Sequence, residues 1–208
     1  MRDKTQIRRL PERAVEDRAR IYAILDDGFV CHAAYLRDGS PVVIPTLYAR
    51  DGDRLLLHGS NSSGLVSAAR NGSPLSIGVT HIDGIVVARS GFHSSANYRS
   101  VVVHGSGQLL DGEDHERALD LIVDWLIPGR VTDIRRPTLG ELKQTSVVAV
   151  DLDQVSAKVR TGDPKDDPDD LDSNAWAGVV PIFQVFGEPI PAGDLTPGIE
   201  VPDYVTRM

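Results

Sequence analysis

The stretch FVCHAAYLRDGSPVVIPTLYARDGDRLLLH, residues 29–58, decides the fold. It holds three runs rich in β-branched and large apolar residues. Two turn sequences separate these runs, Arg37-Asp38-Gly39-Ser40 and Asp51-Gly52-Asp53. Asp-Gly between apolar runs is a strong hairpin signal. Strands joined by connections this short pair antiparallel, so the stretch predicts a three-stranded meander.

Further strands are predicted over residues 75–81, 85–89, 97–110, 146–160 and 179–186, with Asp83-Gly84 as a turn between the first two. Helical patterns cover residues 11–25, 62–70 and 111–126. The helices are too few and too irregularly placed for a doubly wound α/β fold. A mainly β protein is therefore expected, with a closed or split antiparallel barrel and peripheral helices.

Length and composition predict one domain with short extensions. The chain has 208 residues, 41% hydrophobic and 25% charged, as is usual for a globular protein. We expect a polar arm over residues 1–12, the barrel over 13–188, and an extended Pro-rich tail over 189–208. The acidic segment 161–174 is expected to be an exposed loop. A net charge of −8 argues against general nucleic-acid binding.

The cellular setting is also predicted from composition. Cys31 is the single cysteine, so no internal disulfide can form, and its apolar neighbours indicate a buried thiol. The charged start of the chain lacks the apolar region of a signal peptide, and no apolar run is long enough for a membrane span. A cytoplasmic protein is expected, without membrane or nucleic-acid partners.

Two segments suggest a phosphate site. One runs from a strand through His58, Gly59, Ser60 and Ser63 into a helix, whose N-terminal N–H groups can bind an anion. The other places Arg99 between Tyr98 and Ser100 at a strand start, where a guanidinium can pair with phosphate. Both have simpler explanations, since serines cap helices and arginines form surface salt bridges.

Other candidate residues have similar alternatives. His58 at its strand end is either a proton donor or a structural histidine. Lys158 and Arg160 alternate along a strand, facing either an anionic ligand or solvent. The spacing of the histidines does not match a zinc site.

These segments resemble the pyridoxamine 5′-phosphate oxidase-like flavin-binding split-barrel family. The similarity is carried in order by Ile44-Pro45-Thr46-Leu47-Tyr48, Leu57-His58-Gly59-Ser60, Tyr98-Arg99-Ser100-Val101, Leu142-Lys143-Gln144-Thr145-Ser146-Val147 and Ser156-Ala157-Lys158-Val159-Arg160. The branch that includes the nitroimidazole-resistance (Nim-type) proteins is the most similar. The resemblance spans roughly residues 15–180.

The resemblance implies a six-stranded antiparallel split β-barrel of the flavin mononucleotide (FMN) binding type, and a homodimer with FMN at the subunit interface. It implies that strand residues such as Pro45 and Thr46 contact the flavin ring. His58 would have an active-site role toward a small-molecule substrate. The remaining expected cofactor contacts are Gly59, Ser60, Ser63, Asn97, Tyr98, Arg99, Ser100, Lys158 and Trp176.

The chain also departs from the family pattern. Gly64 stands where many relatives carry a basic residue after the helix-opening serine. Val179 and Val180 occupy the position of the oxidases' substrate arginine, which argues against oxidation of pyridoxamine phosphate itself. The leading hypothesis is an FMN-dependent oxidoreductase. A flavin or haem carrier or sensor without turnover, with a histidine on the iron, and a binder of deazaflavin or vitamin B6 phosphate are the alternatives.

Overall fold

A single antiparallel sheet dominates the computed structural model, which describes residues 4–208. Residues 1–3 of the expected N-terminal arm lie outside the described residues. The strands are β1 Ala14–Val15, β2 Val30–Arg37, β3 Ser40–Asp51, β4 Arg54–Ser60, β5 Pro74–Val87, β6 Ser95–Ser106, β7 Gln108–Leu109, β8 Thr145–Asp151, β9 Gln154–Arg160 and β10 Gly178–Pro181. The helices are α1 Arg18–Asp26, α2 Gly64–Arg70, α3 Gly112–Leu126, α4 Leu139–Gln144 and α5 Asp203–Thr206.

The sheet curls into a barrel that stays open along one seam. Its strand order is β1-β9-β6-β5-β2-β3-β4-β8-β7, with β10 added to β5. A Cβ atom on Gly105 of β6 would lie 3.2 Å from a methyl group of Val150 on β8, so the two walls approach closely there. The split antiparallel barrel is thus confirmed. Its ten described strands exceed the expected six, and three of them (β1, β7 and β10) have two to four residues.

One predicted turn is wrong. Asp83-Gly84 does not end a strand, because β5 runs unbroken from Pro74 to Val87. The register with β6 shifts between Ile82 and Gly84, which makes Asp83 the extra residue of a β-bulge. The 12-residue partner β6 pairs on both sides of the bulge, and this continuous ladder overrides the local turn preference.

The predicted first helix is also shorter than expected. Pro11–Arg13 form a 3-10 turn and Ala14–Val15 pair with β9 before α1 begins. The Asp17 side chain caps α1 by accepting hydrogen bonds from the N–H groups of Ala19 and Arg20. At the other end of the chain, the last predicted strand stops at Pro181 rather than residue 186.

Apolar residues fill the barrel and a second, smaller cluster lies outside it. The interior holds alternate residues of the long strands together with the apolar faces of α1 and α2. Cys31 is part of this core, and burial raises its pKa to about 12. The second cluster lies between α3 and the outer face of β3, β4 and β8, and consists of Ala49, Leu56, Ala118, Ile122, Val147 and Ala149.

The acidic segment 161–174 is exposed as expected at most positions, but one side chain anchors it. Asp166 accepts hydrogen bonds from the backbone N–H and the guanidinium of Arg89, both at 2.8 Å, and its side chain is 2% exposed. None of the described helices is both long and apolar enough to cross a membrane.

Candidate functional site

Strand register defines an open face on the outside of the barrel. On one row Pro45, His32, Gly78, Val102 and Ser156 are paired neighbours across β3, β2, β5, β6 and β9. The flanking rows contain Val43, Ala34, Ser76, His104 and Gln154, and then Thr80, Ser100 and Lys158. The alternate residues of these strands point into the core. We call these three rows the outward face.

The outward face differs electrostatically from the rest of the molecule. None of its side chains is acidic, although the chain has 30 aspartates and glutamates. Its ionisable groups are His32, His104 and Lys158. Gly78 lies at its centre, and a Cβ built there would meet nothing within 4 Å. The outward face is therefore a flat, acid-free surface that suits a planar anionic ligand.

A cavity of about 590 Å³ adjoins this face, beneath α3. Leu47 lies on its floor, two residues along β3 from Pro45. Tyr48 pairs with Leu57, so Leu47 and His58 stand side by side at the end of that ladder. The other apolar lining comes from α3 and the segment after it: Leu119, Ile122, Val123, Leu126, Ile127, Val131, Ile134 and Pro137.

His58 is the distinctive polar group of this cavity. Its Nδ1 atom is buried and has no hydrogen-bond partner within residues 4–208. Burial lowers the pKa of the imidazole, so the ring is neutral near pH 7. A neutral imidazole with a free nitrogen is the form that ligates a metal, and it is a poor source of a proton at neutral pH.

Two arginines lie at the rim of the same cavity. Arg135 donates to both carboxylate oxygens of Glu141 at 2.8 and 2.6 Å, and this pairing lowers the pKa of Glu141 to about 2. Arg136 pairs with Asp120. Both guanidinium groups are more than half exposed. Exposed pairs of this kind exchange partners at little cost.

The helix start that was expected to hold a phosphate is otherwise engaged. Ser63 accepts a hydrogen bond from the N–H of Val66 as the N-cap of α2, and Ser60 bonds to Ser62. Gly64 is packed against the Tyr35 ring, where a Cβ would come within 2.9 Å of two ring carbons. The missing basic residue at Gly64 therefore has a steric cause, since Tyr35 fills that space.

Within one chain, Arg99 lies far from the N-terminus of α2. Tyr35 follows Ala34, which pairs with Ser76, whereas Arg99 pairs with His81, five residues further along β5. At about 3.3 Å per residue the two places are roughly 16 Å apart along the sheet. Within one chain the structure thus separates the two halves of the expected phosphate site.

The guanidinium of Arg99 is also occupied. It donates to both oxygens of Asp83 and, at 2.5 Å, to Asp27, and these bonds raise its pKa. It lines a second cavity of about 900 Å³ together with His81, Trp125 and Phe183. A phosphate at Arg99 would have to displace or share two carboxylates, and the expected contact between Arg99 and a phosphate stays a prediction.

The remaining predicted residues fall into two groups. Pro45, His58, Ser60, Tyr98, Ser100 and Lys158 share the outer side of the sheet. Gly59 and Thr46 belong to the opposite set of alternating positions. Asn97 is buried and binds Arg160 and the carbonyl of Gly162. Trp176 is 65% exposed and packs beside Gly178 at the start of β10, the strand that pairs with the far end of β5.

The cavity under α3 was not predicted from the sequence. The sequence predicts a helix over residues 111–126, but the pattern of one helix does not reveal which sheet surface that helix covers. Arg135, Arg136 and Ile134 lie outside the helices and strands that the sequence predicts. Two adjacent arginines shortly before the Thr138 N-cap were the available signal.

Comparisons with known proteins agree with this architecture. A sequence model of the family described as "Pyridoxamine 5'-phosphate oxidase" matches residues 17–159. The structure is similar to that of an FAD and haem binding protein from Mycobacterium smegmatis, with 36% identity, 94% of this chain and 97% of that chain covered, and a TM-score of 0.91. No curated protein sequence matches the chain.

Two further solved structures extend the comparison. The flavocytochrome Anf3 from Azotobacter vinelandii is 33% identical, with 99% of this chain and 96% of that chain covered and a TM-score of 0.94. A 5-nitroimidazole resistance protein from Bacteroides thetaiotaomicron shares the fold at 22% identity, with 70% and 86% covered and a TM-score of 0.59. The resemblance expected from the sequence is confirmed, and the chain belongs to the pyridoxamine 5′-phosphate oxidase family.

Proposed function

We propose that the protein is a redox protein that binds a flavin on its outward face and a haem in the cavity under α3. The observation that carries the proposal is His58, a neutral histidine with a buried, unpartnered nitrogen in an apolar cavity whose rim bears two arginines. Two similar proteins, at 36% and 33% identity over nearly the whole chain, are described as an FAD and haem binding protein and as a flavocytochrome.

The cavity residues fit a haem. The walls contributed by α3 and the following segment are aliphatic, as the macrocycle requires, and His58 would ligate the iron through a ring nitrogen. A haem carries two propionates, and Arg135 and Arg136 would bind them as they now bind Glu141 and Asp120. Since the Nδ1 atom of His58 has no hydrogen-bond partner among the described residues, that nitrogen does not tie the ring to another protein group.

The outward face fits a flavin. Gly78 leaves a flat floor beside Pro45 and His32. The Lys158 ammonium donates to the Arg9 carbonyl at 2.9 Å and keeps two further N–H donors for an anionic group, next to the Ser100 hydroxyl. We propose that this face packs against a second copy of the chain, so that the flavin is enclosed in a homodimer. The sequence resemblance favours FMN, and the phosphate contacts would come from Lys158 and Ser100 rather than Arg99, which Asp27 and Asp83 already hold.

The chemistry would be electron transfer. When bound, the flavin supplies two-electron and one-electron chemistry and the haem iron supplies one-electron chemistry. The chain's own residues would bind and orient: His58 as ligand, Arg135 and Arg136 as anion contacts, and the apolar side of α3 as a barrier to water. Turnover assays with reduced nicotinamides would test the electron donor. Assays with candidate small molecules would then identify the substrate.

The first experiment is an absorption spectrum of the freshly purified protein, with released cofactors identified by mass spectrometry. Flavin bands, together with a Soret band after haem titration, are the expected result. Mass identifies FMN, FAD, a deazaflavin or a vitamin B6 phosphate directly. A protein that takes up neither flavin nor haem contradicts the proposal.

Histidine variants then locate the haem. His58→Ala should lose the Soret band and keep the flavin. His93→Ala, which removes a hydrogen-bond partner of the exposed Asp167, should keep both. If His58→Ala retains an unchanged Soret band, another histidine binds the iron and the assignment of the cavity is wrong.

A further inference from the structure

The C-terminal segment leaves the domain and returns to it. Its first anchor is beside β5, where the Ile182 N–H donates to the Asp83 carbonyl and the Phe186 ring lies 6.5 Å from that of Phe29. Its second anchor is α5, where the Tyr204 hydroxyl accepts from Arg130 at 2.8 Å and donates to Asp133 at 2.7 Å. Residues 187–201, which we call the arm, connect these two anchors.

The arm is apolar and exposed along its whole length. Every residue from 187 to 201 is exposed. Its large apolar side chains have exposed fractions from 42% to 93%: Ile190, Leu195, Ile199 and Val201. The backbone hydrogen bonds described within it are local turns, Leu195 to Ala192 and Ile199 to Thr196. An extended segment with so many apolar side chains in water indicates a missing contact surface.

The arm nevertheless follows a shared course. The alignment with the flavocytochrome structure spans 99% of this chain with a TM-score of 0.94, and a 15-residue arm cannot lie in the remaining 1%. A segment this exposed keeps a reproducible path when another molecule holds it. In the homodimer proposed above, the surface that holds it belongs to the second copy.

Charge indicates where the arm lies. It carries Glu188, Asp194 and Glu200 and no basic residue. The outward face has no acidic residue and carries Lys158, His32 and His104. We infer that the arm of each chain lies across the outward face of a second copy, exchanged reciprocally, and covers the edge of the flavin surface there. This inference rests on the homodimer and the flavin surface proposed above.

The direct test is site-specific photocrosslinking. A benzophenone side chain at Ile190 should yield covalent dimers on irradiation, with cross-linked peptides from β2, β3 or β9 of the other copy. The same group at Leu171, which is 56% exposed in the acidic segment, is the matched control and should not. Cross-links from Ile190 confined to its own chain, or none at all in a dimeric protein, overturn the inference.

The molar mass measured by light scattering distinguishes the proposed homodimer from the proposed exchange of arms. A monomeric protein overturns both the homodimer and the exchanged arm. In a dimeric protein, Ile190→Ser with Ile199→Ser should weaken the dimer by at least about ten-fold in Kd, while Leu171→Ser leaves it unchanged. Equal dimer affinity in all three proteins overturns the arm alone and leaves a dimer formed by the sheet surfaces.

Discussion

Arg99 and Asp83 face each other side-on across the bulge of β5, with Nε 3.0 Å from Oδ2 and the terminal nitrogen 2.8 Å from Oδ1. The residue that makes the bulge is therefore the one that holds the arginine. Asp27, directly after α1, binds the other terminal nitrogen. Through these two aspartates, Arg99 connects the end of α1 to β5, the longest strand. The role of Arg99 in this structure is therefore structural.

Removal of this arginine should affect stability more than flavin binding. Arg99→Leu leaves Asp83 and Asp27 without their cation and should cost about 1–2 kcal/mol of unfolding free energy. Flavin affinity should stay within about two-fold, whereas Lys158→Ala should weaken it about ten-fold with little loss of stability. Urea denaturation and flavin titration of both variants test this. A loss of flavin in Arg99→Leu at unchanged stability would contradict it.

Gly64 should tolerate no side chain while Tyr35 is present. The Cβ of Gly64→Ala would lie 2.9 Å from ring carbons of Tyr35, so α2 or the ring must shift, at about 1–3 kcal/mol. Gly78→Ala is the matched control, because its Cβ meets nothing within 4 Å and its stability should be unchanged. Denaturation midpoints compare the two, and equal losses would show that Tyr35 is not the obstacle.

His58 should make the stability of the apoprotein depend on pH. Burial lowers its pKa below the usual 6.5, so below that pH the unfolded chain takes up a proton that the folded chain resists. The contribution of the neutral His58 ring to the free energy of unfolding is fully present above pH 6.5. It declines as the pH falls toward the lowered pKa. His58→Leu should show a smaller loss between about pH 7.5 and 5.5 in urea denaturation. An identical loss in both proteins would mean that His58 titrates normally.

Asp166 should control the order of the acidic segment. Asp166→Ala removes both hydrogen bonds to Arg89, and amide hydrogen exchange across residues 163–170 should speed up. The exposed neighbour Asp169 offers a control substitution, Asp169→Ala, with exchange like that of the wild type. Unchanged exchange in Asp166→Ala would place the anchor of this segment elsewhere, for example at the carbonyls bound by Arg160.

The sequence predicts the parts of this molecule that depend on local pattern. The meander of β2, β3 and β4 follows from two Asp-Gly turns, and α3 follows from the helical pattern of residues 111–126. Asp83-Gly84 has the same local signal as those turns but is a bulge, because β6 is long enough to pair past it. Local turn chemistry cannot report the length of the partner strand.

The candidate site also has features that the sequence predicts and features that only the structure shows. Alternation along strands would put Pro45 and Lys158 on a common face once the register is known, but register is a property of paired strands and not of one segment. The carboxylates that hold Arg99 come from residues 16 and 72 positions away. A phosphate and a pair of aspartates are equivalent partners for an arginine when only its own strand is visible.

Leu126, the last residue of α3, lies between the two cavities in which ligands could bind. Leu126 lines both the His58 cavity and the larger cavity beside Arg99, so one side chain forms part of the wall between them. A molecule that pushes Leu126 from one side changes the volume available on the other. A ligand that displaced Leu126 would therefore change the affinity of the neighbouring cavity, and the direction in which the leucine turned would set the sign of that change.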